Sequence, residues 1–246
     1  MVRFIQQNAA GTVFAVAVFL AGVGVSLSTG EQAPQPPDLG VDAGELSPVV
    51  DNPYVPLGSL KRAVYTGRDR DPDTGRTSKV RMEMTVRETT VTLAGVKTTV
   101  VDVTAYEDGE VVERSRDFYA KHRSGAVYSI GDEVDDLTGG KIVGHEGQWV
   151  AGEGTSRAGL YMPASPKVGD IFEQERAPGI AERHSRVLAT GKTIKVAAGT
   201  FSNCIETEDS DTIEKTTQRR FYCAGVGLIK ETSPERSLEL ASRETR

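Results

Sequence analysis

"KVRMEMTVRE", residues 79–88, decides the class of fold. Val80, Met82, Met84 and Val86 alternate with Arg81, Glu83, Thr85 and Arg87. A repeat of two places the four apolar side chains on one face of an extended strand and the polar ones on the other. The stretch therefore predicts a sheet with one dry and one wet face. Residues 95–131 continue the pattern with three strand candidates, separated by Asp108-Gly109 and Ser124-Gly125. Tight hairpin turns favour such residues because they tolerate positive φ.

Further strand patterns follow at 141–150, around the single Trp149, and at 170–177, 182–189, 193–197, 201–207, 218–223 and 226–231. Glycine and proline punctuate them, and no stretch between them has a helical period. Strands this closely spaced predict an all-β fold with a single large antiparallel sheet. Its dry face must be buried by strong curvature into an open half-barrel, or against a second sheet as a sandwich.

Around this β-rich domain, expected over 51–233, the composition changes. Residues 1–29 carry only Arg3 as a charge, then an uncharged run from Ala9 to Leu27. That order reads as a signal peptide or, at roughly 19 residues, as an N-terminal membrane anchor. Residues 30–50 hold Pro34, Pro36, Pro37 and Pro48 without a period, which predicts an extended linker. The charged tail, 234–246, is expected to fray or form a short helix. The net charge of −6 argues against nucleic acid and against docking on anionic headgroups. An exported, extracytoplasmic protein is expected, secreted, periplasmic or held at the membrane by an uncleaved N-terminal segment.

Candidate chemistry is sparse. His122, His145 and His184 have no metal-ligand spacing between them. Asp132, Glu133, Asp135 and Asp136 read as a solvated connecting loop, and Asp69, Asp71 and Asp73 lack the distal glutamate of a calcium loop. Gly225-Val226-Gly227 runs into a strand pattern, so it reads as a bend rather than a phosphate cradle. No catalytic residue, cofactor or metal ligand is expected.

The two cysteines lie in "FSNCIETEDSDTIEKTTQRRFYCAG", residues 201–225. A hairpin register pairing Cys204 with Cys223 sets Ile205 opposite Tyr222, Glu208 opposite Arg219, and Asn203 opposite Ala224. Those are favourable cross-strand neighbours. Outside the cytosol this predicts a structural disulfide across a long polar turn, 209–218. Free buried thiols or a redox or metal pair are the alternatives.

"NPYVPLGSLKRAVY" (52–65), "MPASPKVGD" (162–170), "APGIAE" (177–182), "VAAGTFSNCIETE" (196–208) and "RRFYCAGVGLIKE" (219–231) occur in that order. In these motifs the chain resembles a broad group of uncharacterised exported bacterial β-rich proteins, many of them lipoproteins. It departs from them in lacking a cysteine near the apolar run, so a lipid-modified anchor is not expected. More distantly the expected sheet is similar to periplasmic half-barrel lipoprotein carriers. The resemblance implies architecture and no catalytic residue. The expected function is a non-enzymatic envelope protein binding an apolar small molecule, a lipid or an envelope protein on its concave face, with Val80, Met82, Met84 and Val86 on that face. A structural module with a filled core is the alternative, and a hydrolase assembled from distant strands the less favoured one.

Overall fold

The structure is a computed structural model and describes residues 37–246. The expected signal or anchor segment, 1–29, and the start of the expected linker lie outside the described residues. Ala43–Glu45 forms a 3-10 turn, after which the chain runs through β1 (Leu46–Ser47), β2 (Leu60–Arg70), β3 (Thr77–Leu93) and β4 (Val96–Glu107). β5 (Glu110–His122), β6 (Val127–Thr138), β7 (Lys141–Gly144) and β8 (Trp149–Val150) follow. The remainder is β9 (Gly159–Met162), β10 (Ile171–Ala177), β11 (Ala181–Val196), β12 (Gly199–Asp211), β13 (Thr216–Cys223), β14 (Gly227–Thr232) and β15 (Arg236–Thr245).

The protein is all-β. Its strands form one antiparallel sheet in the order β10-β11-β12-β13-β14-β15-β2-β3-β4-β5-β6-β7, with β1 added at β5 and β8 and β9 at β6. The sheet is not closed. Its far ends approach at β9, which pairs with β6, while Arg157, just before β9, forms a bridge to Arg176 of β10.

Two meanders, β2–β7 and β10–β14, are joined by the last strand. The segment expected to fray is β15, which pairs with β14 on one side and β2 on the other. Leu238 and Leu240 alternate along it and are buried on the inner face, opposite Gly67 and Tyr65. Gly67 is needed there, because a Cβ would lie 1.8 Å from the Ser237 carbonyl oxygen.

Other expectations also change. The expected linker is folded over residues 39–50: Leu39 packs beside Trp149, Val50 is fully buried, and β1 pairs with β5. Proline suggests extension, but Leu39, Val41 and Leu46 pack with Val100, Phe118, Ala120 and Ile130 on the outer face of β4–β6, while Val50 joins the main core. That second cover explains why Asp117, Phe118, Tyr119 and Ala120 are buried in succession. The acidic run expected as a loop at 132–136 is strand β6, with Asp132 and Asp136 buried. The charged segment 67–76 is the end of β2 followed by a turn over 71–76, organised by Asp71, whose Oδ1 accepts the backbone N–H of Asp73 (2.9 Å) and Thr74 (2.8 Å). The spaced aspartates serve that turn.

Candidate functional site

Val80, Met82 and Val86 are buried and Met84 partly so, all in the main core. Their cross-strand neighbours are Tyr65, Ala63, Val101, Val103 and Ala105, with Gly67 and Glu107 on either side of Val80. With Ile205, Tyr222, Ile229, Leu238 and Leu240 in the same cluster, the predicted ligand face is occupied by protein.

The same interior carries charge. Arg220, almost fully buried, donates from Nε to Glu231 Oε2 at 2.8 Å and from Nη1 to Asp209 Oδ2 at 2.9 Å. Ser185 Oγ donates to the other oxygen of Asp209 at 2.7 Å. Arg183 lies between Glu175 and Asp211, 3.3 Å from each. Register produces the second arrangement directly, since Arg183 stands opposite Asp211 on β12 and Glu175 on β10. Burial acts to raise the Glu231 carboxyl, but Arg220 and Arg236 outweigh it and hold the group below its ordinary value. Burial likewise works against the charge on Arg220, and its acidic neighbours reverse the effect. Unpaired, such charges would be prohibitive in an interior; paired and hydrogen-bonded they are tolerated.

Across the interior, Asp117 and Asp132 face each other between β5 and β6. Asp117 accepts from Ser115 Oγ at 2.7 Å and from Tyr119 Oη at 3.4 Å, and Asp132 accepts from Trp149 Nε1 at 3.1 Å. Burial, reinforced by the charges of Asp117 and Glu175, pushes the Asp132 carboxyl up to about 7. A neutral acid beside an acceptor carboxylate is the chemistry of acid–base catalysis. Yet both side chains are sealed in the sheet, only 2% and 5% exposed. A substrate has no approach to them through either hollow described below.

One rim of the sheet is open. The β2–β3, β4–β5 and β6–β7 hairpins border a groove of about 810 Å³. Its lining includes Asp69, Asp71, Glu107, Asp108, Glu110, Asp136 and Glu146, with Arg76 the lone basic residue and Val111, Val112, Leu137 and Val143 as apolar wall. Glu107 and Glu110 stand directly opposite each other. Burial raises the Asp69 carboxyl, Arg236 opposes this, and Glu107 adds to it. Edge strand β7 leaves Ile142 and Val143 exposed beside the groove. A second hollow, of about 500 Å³, lies against β2 and β3 and is lined by Arg68, Lys79, Arg81 and Tyr106 among others.

The predicted cystine is present: Cys204 and Cys223 are bonded and in register, with Ile205 opposite Tyr222 and Glu208 opposite Arg219. The connecting turn is shorter than expected, because the ladder continues to Asp211 and Thr216. The histidines are dispersed. His122 contacts Glu45, His145 Nδ1 lies 2.7 Å from the Val134 carbonyl, and His184 is on β11 opposite Ser210. Among the described residues no cluster of His, Cys, Asp and Glu is arranged to hold a metal ion.

The sequence reasoning missed the buried Arg183 and Arg220 and the rim groove. A signal for Arg220 existed: the cystine register, followed two residues beyond the Ile205–Tyr222 pair, puts Thr207 opposite Arg220 on the same face. No protein-family model, no curated protein and no solved structure matches the chain.

Proposed function

We propose that this chain is a non-enzymatic extracytoplasmic envelope protein, an open half-barrel with a filled interior, that binds a cationic segment of a partner protein at its acidic rim groove. The observation carrying this reading is the groove itself. It offers about 810 Å³ bordered by seven carboxylates and one arginine, whereas the inner face is filled by the chain's own side chains. Fields of one sign in a cleft attract an oppositely charged partner and speed its arrival. The exposed Ile142 and Val143 on edge strand β7 add apolar contact for an extended peptide. Export is supported by the apolar N-terminal run, by the cystine and by the resemblance to exported β-rich proteins.

Isothermal titration of the full chain with hexa-arginine and hexaglutamate peptides tests the site. Binding of the cationic peptide only, weakened about tenfold in Glu107→Gln/Glu110→Gln, a change of about 1.4 kcal/mol, is expected. Equal affinity of the variant, or no binding of either peptide, rejects the reading in favour of a purely structural module. The hydrolase reading has one favouring observation, the Asp117–Asp132 pair, and their burial weighs against it.

A further inference from the structure

Several cross-strand cations on the sheet meet acids: Arg62 lies 2.8 Å from Glu83, Arg87 2.6 Å from Asp102, and Lys230 2.6 Å from Glu239. At the hairpin end of β2 and β3 the pattern breaks, with Arg68 directly opposite Lys79. Like charges in that position repel. Neither has a carboxylate within ion-pair distance among the described residues. The acids nearest in register are already engaged. Glu83 serves Arg62 and Arg81, Glu239 serves Lys230, and Asp108 takes Arg76 at 2.7 Å and the Lys79 backbone N–H at 2.9 Å.

We propose that this outer hollow, bordered by Arg68, Lys79, Arg81 and Tyr106, binds a phosphate group. Its volume is about 500 Å³ and no carboxylate lines it. Arg81 is two residues along β3 from Lys79 on the same face, opposite Thr66, and its guanidinium lies 3.7 Å from the centroid of the Tyr106 ring. Arg81 gives Nη1 to Glu83, and its remaining N–H groups can donate to an oxygen of a tetrahedral oxyanion. Cross-strand neighbours are about 5 Å apart at Cβ, so the Arg68 and Lys79 heads can close on the same group from the other side. A doubly charged phosphate offsets the repulsion between Arg68 and Lys79. The hollow exceeds a bare phosphate ion, which leaves room for the organic part of a phosphomonoester or lipid headgroup. The net negative charge of the chain and the neighbouring Asp69, Glu107 and Asp108 of the groove oppose an anion at longer range, and the one-sign lining of the hollow acts against them locally.

The test uses the full chain, inorganic phosphate and glycerol 3-phosphate, with potassium chloride at matched ionic strength as control, read by calorimetry and thermal unfolding. Saturable phosphate binding is expected, with a phosphate-dependent rise in melting temperature. Tighter binding of glycerol 3-phosphate identifies a headgroup-like ligand, and equal binding identifies free phosphate. Lys79→Gln removes the like-charge pair, so it should melt higher than the parent in phosphate-free buffer while losing at least about tenfold in phosphate affinity. A variant that is more stable yet binds less separates ligand binding from misfolding. No saturable binding, full mimicry by chloride, or unchanged affinity in Arg68→Gln/Lys79→Gln overturns the proposal.

Discussion

Replacing Arg220 by methionine removes a cation that hydrogen-bonds to both Asp209 and Glu231 while keeping a long apolar side chain in place. Arg220 is 2% exposed, Asp209 0% and Glu231 10%, so Asp209 cannot turn to water without opening the sheet and Glu231 has little room to do so. Breaking a buried pair from one side costs about 3–5 kcal/mol, because the remaining charge is stranded. For a chain of this size that is a fall of roughly 6–20 °C in melting temperature. The assay is urea unfolding followed by fluorescence of Trp149, the only tryptophan, which is buried against Asp132. Acid should narrow the gap. Glu231 is held below its ordinary value when folded, so its contribution is present above the ordinary carboxylate range and disappears as pH falls through the depressed folded value. The variant lacks that contribution, so parent and variant should converge at low pH. Neutralising the stranded acids as well, in Arg220→Met/Asp209→Asn/Glu231→Gln, should recover more than half of the loss. A single variant that loses less than about 1 kcal/mol, the range of exposed pairs, would refute the reasoning. So would a triple variant no more stable than the single one.

Asp132 gives the opposite pH signature. Its folded value, about 7, lies above the ordinary 3.8, so the folded state binds the extra proton between those limits. Stability should fall by up to about 1.4 kcal/mol per pH unit as pH rises through that window, and Asp132→Asn should flatten the profile in pH-dependent urea melts. Deleting residues 235–246 removes β15 and with it the seam between the two meanders. The truncated chain should lose its cooperative unfolding transition, and a native-like melt would contradict the topology. Cys204→Ala/Cys223→Ala frees a loop between residues 19 apart and should cost about 3 kcal/mol in urea. A loss that the parent does not reproduce in dithiothreitol would count against the cystine as its source.

Much of the sheet is legible in local pattern. The alternation at 79–88 identifies β3 and its inward face, the Asp108-Gly109 turn marks a hairpin, and two cysteines with complementary neighbours set the β12–β13 register. Less legible is "RSLELASRET": two leucines two apart among charges look like a solvated tail until β2 and β14 are present on either side. The acidic run in β6 misleads for a related reason. Asp132 and Asp136 are buried by partners remote in sequence, and an isolated reading assigns charged residues to water.

The proposed sites divide the same way. Arg68 and Lys79 are ordinary surface residues until the β2–β3 register sets them face to face. The acidic groove exists because three hairpins converge on one rim.

By itself the sequence determined what period-two alternation and turn chemistry encode: extended strands, antiparallel neighbours, the dry face and a register in which the two cysteines meet. Tertiary structure alone decided strand order beyond adjacent hairpins, the central place of β15, the folding of residues 39–50 onto the sheet, and the pairing of Arg183 and Arg220 inside it. The physical reason is range. Alternation and turns act over a few residues, whereas a buried charge is stable only where distant strands bring its counter-ions within hydrogen-bond distance.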